Sequence, residues 1–143
     1  MRKIKIGFKD IIDQTGLIFL EVFIADKSAI MIVDTGCINN IIDIGFIKND
    51  LGINLVDFTK SKVSIFNEDK EIEKANVTIA NVSIEKQFKT VIDFTVIDMS
   101  NTTKTFLDDY GIEVIGILGN NFLKTNKLKI NYKNNYIEYE DND

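Results

Sequence analysis

Ile and Val recur along this chain in short segments that alternate apolar with polar residues, and no sustained period near 3.6 runs through it. A period of two sends successive side chains to opposite faces of an extended strand, so the pattern calls for sheet. The alternation places strands at Lys3 to Phe8, Leu17 to Ile24, Ala29 to Val33, Lys62 to Phe66, Glu71 to Ile79, Thr90 to Ile97, Glu113 to Ile117, Lys127 to Tyr132 and Tyr136 to Tyr139. Lys133-Asn134-Asn135 divides the last two, and asparagine tolerates positive φ, so they form a hairpin with Leu128, Ile130 and Tyr132 on one face. Three short helices interrupt the strands: Asp43 to Leu51 stopped by Gly52, Thr102 to Tyr110 closed by Gly111, and one opening at Asn120 or Asn121. None is long enough for a bundle, so the expected class is all-β with a closed, small barrel-like core.

The 143 residues make one domain, 1–143, ending in the polar tail Glu140-Asp141-Asn142-Asp143. Charges interrupt every apolar run well before the roughly 20 residues of a membrane-spanning helix. Lys9 and Asp10 break the N-terminal apolar stretch before signal-peptide length, so a cytoplasmic protein without a membrane partner is expected. A net charge of −5, with no stripe of Lys or Arg among aromatics, argues against nucleic acid as a partner. The chain has no histidine and a single cysteine, Cys37. Ser-His-Asp and Cys-His arrangements and the usual zinc sites are therefore excluded, and hydrolytic chemistry would fall to carboxylates. Asp57, Asp93, Asp98, Asp108 and Asp109 lack the spacing of a calcium loop, so no metal is expected.

The strongest local feature is Ala29-Ile30-Met31-Ile32-Val33-Asp34-Thr35-Gly36-Cys37, an apolar strand that delivers a carboxylate to a tight turn containing glycine. An Asp ahead of a Gly is by itself an ordinary turn former. Much later, Val114-Ile115-Gly116-Ile117-Leu118-Gly119-Asn120-Asn121-Phe122-Leu123 forms another apolar strand that ends in glycine and runs into a short helix. With these two stretches in this order, the sequence resembles the retropepsin-like aspartic proteases, particularly the single-domain bacterial members. Ile32-Val33-Asp34-Thr35-Gly36 and Ile117-Leu118-Gly119-Asn120-Asn121 fill the places of the two family motifs, and the resemblance spans roughly Leu17 to Tyr139.

The resemblance implies an aspartic endopeptidase in which Asp34 is the catalytic carboxylate and the active-site support comes from Thr35, Gly36, Ile117, Leu118, Gly119 and Asn120. It implies no cofactor. One Asp-Thr-Gly per chain implies a homodimer whose two-fold axis supplies the second Asp34, acting on a peptide or protein substrate. Thr35 would hydrogen-bond across that dimer, and Gly36 would let backbone N–H groups approach the carboxylate. Lys62 to Ile79 stands where the family has its flap, with Phe66, Asn67, Glu68, Asp69 and Lys70 as flap residues and Asn67 to Lys70 at the tip.

The sequence also departs from the family. Cys37 replaces a small Ala or Ser and reads as a packing residue, Ile38-Asn39 replace acidic residues of the retroviral enzymes, and the flap tip lacks glycine. Two rival functions remain. One is a non-catalytic peptide- or protein-binding module on the same fold. The other, a carboxylate-based glycosidase, is disfavoured by the absence of Trp.

Overall fold

The computed structural model describes residues 2–7, 16–53, 59–65, 68–86 and 88–141. Among the described residues, ten strands and two α-helices succeed one another as β1 (Arg2–Gly7), β2 (Ile18–Ile24), β3 (Lys27–Val33), β4 (Asn40–Asp43), β5 (Thr59–Ile65), β6 (Glu68–Ile84), β7 (Phe88–Ile97), α1 (Ser100–Tyr110), β8 (Val114–Leu118), α2 (Asn120–Thr125), β9 (Lys129–Asn131) and β10 (Tyr136–Asp141).

Six of these strands close on themselves. Their order is β2-β3-β8-β4-β7-β6, and β6 returns to β2 through Val22↔Ile84 and Ile24↔Val82. Closure leaves no free edge within the ring. β3 and β8 run parallel, as do β4 and β7, while β4 and β8 are antiparallel. A register shift between Ile79 and Val82 interrupts the pairing of β6 with β7, and beyond it Val82 to Ile84 pair with β7 on one side and with β2 on the other.

Alternation accounts for the barrel interior. Ile18, Leu20, Val22 and Ile24 of β2 and Ala29, Met31 and Val33 of β3 all enter the main core. The opposite faces are buried as well: Phe19, Ile32 and Val114 form a second cluster. Phe106 of α1 covers that cluster and meets Phe19 edge-on, with centroids 5.9 Å apart. Strands covered on both sides need apolar residues at every position, which is why all five residues of β8 are buried. A separate antiparallel sheet, β1-β10-β9, docks on the barrel through Ile137 and Tyr139, the latter stacked on Phe88 at 3.9 Å.

Several expectations need correction. Asp43, expected to open a helix, ends β4, a strand the alternation did not reveal; its carboxylate accepts the Met99 N–H at 2.8 Å and holds the residue extended. The helical segment after it is a π-helical turn, Phe46–Asp50. β3 begins at Lys27, joined to β2 by a two-residue turn in which Ala25 and Asp26 have φ of 47° and 67°. Leu128 and Ile130 pack on the core, but Tyr132 lies in the turn before β10 and does not share their strand face. Among the described residues, no helix is long and apolar enough to cross a membrane.

Candidate functional site

The parallel ladder of β3 and β8 ends at Val33↔Leu118. It gains one more rung, because the Asp34 N–H donates to the Leu118 carbonyl at 3.0 Å. Asp34 therefore stands at the very tip of a buried strand. The chain then reverses: the Cys37 N–H donates to the Asp34 carbonyl at 3.1 Å, and the Gly36 N–H donates to Asp34 Oδ1 at 2.9 Å. A Cβ on Gly36 would lie 3.2 Å from that oxygen, so the turn draws the backbone close to the carboxylate. Asp34 is half-buried, while Thr35, Gly36 and Asn39 are exposed and Ile38 is 71% exposed.

Under this loop lies the start of α2. The Asn120 N–H donates to the Cys37 carbonyl at 2.7 Å, and the Asn121 N–H to the Ile38 carbonyl at 3.0 Å. First-turn N–H groups of a helix lack partners within it, and here the loop supplies them. Neither asparagine is the N-cap; Gly119 holds that position with extended backbone. A side chain at Gly119 would collide with the Asn39 carbonyl and sit 2.6 Å from the Cys37 carbonyl oxygen, so only glycine lets the two segments come this close. Ile117 and Leu118 are fully buried. Ile117 joins Cys37, Ile41, Ile97 and Met99 in a small apolar cluster that supports the loop.

Cys37 is 4% exposed, and its Sγ donates to the Asn39 carbonyl at 3.2 Å. Burial pushes its thiol above the ordinary range, and the neighbouring Asp34 carboxylate pushes the same way, against a smaller opposing effect of the Asn39 backbone. A thiol so disposed is a poor nucleophile and packs as an apolar residue.

Asp34, Thr35, Gly36, Leu118, Gly119 and Asn120 thus come together at one end of the barrel, with Ile117 beneath them. The flap candidates belong to the segment of the antiparallel pair β5 and β6. Phe66 and Asn67 fall outside the described residues. Glu68, Asp69 and Lys70 belong to β6, opposite Ile65, Ser64 and Val63 of β5, so the antiparallel pair expected in this segment is present and these three residues lie in its strand rather than at its tip. Sequence reasoning missed Asn40, whose buried side chain accepts the Gly119 N–H at 2.9 Å. Its one visible signal is a polar residue directly ahead of the apolar pair Ile41-Ile42. Among the described residues, no group of three His, Cys, Asp or Glu side chains is placed to hold a metal ion.

No protein-family model matches this sequence, and no curated protein matches it significantly. Solved structures do resemble it. A retropepsin-like aspartic protease from Rickettsia conorii superposes with a TM-score of 0.60 at 21% identity, over 96% of this chain and 89% of that one. The retroviral protease-like domain of Ddi1 from Leishmania major gives 0.52 at 14% identity, over 87% of this chain and 89% of that one. The closed barrel with short helices is a retropepsin-like fold.

Proposed function

We propose that this chain is an aspartic endopeptidase that works as a homodimer, with Asp34 and the partner's Asp34 forming the catalytic pair. One observation carries the reading: a half-buried carboxylate, braced by the Gly36 N–H, stands on a loop whose other exposed members, Thr35, Gly36, Ile38 and Asn39, are uncharged. A two-fold axis through such a loop brings two copies together without repelling charges other than the carboxylates themselves.

Two carboxylates at hydrogen-bonding distance share one proton, because ionising both in a desolvated site is costly. The ionised member takes a proton from a water molecule as its oxygen bonds to the peptide carbonyl carbon. The protonated member gives its proton to the carbonyl oxygen, leaving a neutral tetrahedral diol. When the diol collapses, the carbon–nitrogen bond breaks. One hydroxyl proton returns to the pair, another proton passes to the leaving nitrogen, and an acid and an amine depart with the pair in its starting state. Thr35 and Gly36 shape the turn and take no part in proton transfer.

The test is cleavage of an unbiased peptide library by wild type and Asp34→Asn from acid to neutral pH, with subunit mass measured in the same buffers. Cleavage by a dimer that disappears in the variant is the expected result. Equal cleavage by both proteins removes Asp34 from the mechanism. A monomer that cuts nothing and still binds peptides replaces the protease reading with that of a binding module.

A further inference from the structure

Asn40 is one of only two buried polar or charged residues among those described, at 6% exposure. Burying a carboxamide is unfavourable unless its polar atoms find partners. Both ends do: Oδ1 accepts the Gly119 N–H at 2.9 Å, and Nδ2 donates to the Asp93 carbonyl of β7 at 3.3 Å. The three consecutive N–H groups of residues 119, 120 and 121 all point into the segment 37–40, and each meets a different acceptor. Two of those acceptors are the main-chain carbonyls of Cys37 and Ile38, which any side chain at those positions would leave in place. The third is a side chain, so this rung alone depends on residue identity.

We propose that Asn40 is a positioning residue for Asp34, a role that rests on the protease reading. Its carboxamide ties the entry of α2 to the barrel wall at β7. The N–H groups of Asn120 and Asn121 then meet the carbonyls of Cys37 and Ile38 at a fixed place, and the turn that holds the Asp34 carboxylate against the Gly36 N–H is set by that clamp. Without the carboxamide, the Gly119 N–H is left buried without an acceptor and the loop relaxes about its remaining bonds. Catalysis suffers because carboxylate pairs tolerate little displacement; the substrate-binding surface is altered less.

Two variants test this. Asn40→Leu is nearly isosteric and removes both bonds. It is expected to keep the wild-type subunit mass and KM while kcat falls on the order of 10- to 100-fold. Hydrogen exchange at the Gly36 and Asn120 amides is expected to quicken beyond any change in global stability. Asn40→Asp keeps the shape. Its neutral acid can still accept from Gly119 and donate to Asp93, whereas its carboxylate confronts the Asp93 carbonyl. The ratio of its kcat to that of wild type should therefore approach one in acid and fall as pH rises. Asp93 lines the same cleft as Asn40, but its carboxylate and that of Asp34 are present in both proteins, so the ratio isolates the new group.

Wild-type kcat and unchanged Gly36 exchange in Asn40→Leu overturn the proposal, as does a pH-independent ratio for Asn40→Asp. If wild type cuts nothing, the protease reading fails separately, and Gly36 and Asn120 exchange decides whether the clamp exists. If Asn40→Leu does not fold, the acid and neutral behaviour of Asn40→Asp decides alone.

Discussion

β3 and β8 lie side by side and parallel, buried at their C-terminal ends, and end in register at Val33 and Leu118. Beyond those two residues the chain takes different courses. After β3 comes Asp34, a loop of exposed small residues and the 71% exposed Ile38; after β8 comes Gly119, then a helix that sends Phe122 and Leu123 into the core. One arm displays a carboxylate and the other holds that display in place. On the proposed reading, function and stability are divided between two strand ends joined by the Asp34–Leu118 bond and by the bonds that residues 119, 120 and 121 make to residues 40, 37 and 38, and substitutions in the two arms should damage different properties.

The largest effect expected is on the displaying arm. Asp34→Asn should lower peptide cleavage by more than about a thousandfold while leaving thermal unfolding unchanged or slightly raised. A variant that loses activity only through unfolding would break the division of labour. On the supporting arm, Phe122→Ala should reduce unfolding free energy by about 4 kcal/mol, measured by denaturant titration, because Phe122 is 2% exposed. Gly119→Ala should cost about 3 kcal/mol by the same measurement, since main-chain carbonyls block its Cβ and cannot swing aside. Its counterpart Gly36→Ala should stay within about 1 kcal/mol of wild type, because the atom it approaches is the Asp34 side chain. Equal costs for the two glycine variants would erase the contrast.

The smallest effect concerns pH. The folded-state pKa of Cys37 lies above its ordinary value of 9.0, so the folded chain holds this proton more tightly than the unfolded one. Its contribution to stability is complete below pH 9.0 and lost as pH rises through the folded value. Cys37→Ala should flatten the alkaline limb of a stability–pH curve. Asp34→Asn should flatten part of it, because the Asp34 carboxylate is the second cause of the shift.

Much of this division was legible in the residues alone. Alternating Ile and Val residues define strands wherever one face is wet or the run is long, and Gly111, with φ of 68°, ends α1 where its position suggested. Asp34 and Gly119 stood out only together: each alone is an ordinary turn former at a strand end, but two apolar strands ending in this way and in this order match the two family motifs. β4 was hidden because four residues cannot display a period. The turn at Ala25-Asp26 was hidden because Ala25 is an unusual choice for positive φ and no glycine marks the spot, although Asp26 suits it. Asn40 was hidden for a different reason: its role depends on Gly119 and Asp93, and no local pattern reports a partner that arrives with a distant strand.

That distance sets a clock. Asn40 and the Gly119 N–H it holds are 79 residues apart in the chain. At the ~5 to 20 residues per second of protein synthesis, a growing chain waits roughly 4 to 16 s after Asn40 is made before Gly119 exists. Until then Asp34 belongs to a loop without a floor. For a protease of the kind proposed, that delay leaves the emerging polypeptide harmless to itself and to its neighbours on the polysome, protected by the order in which its own residues are made.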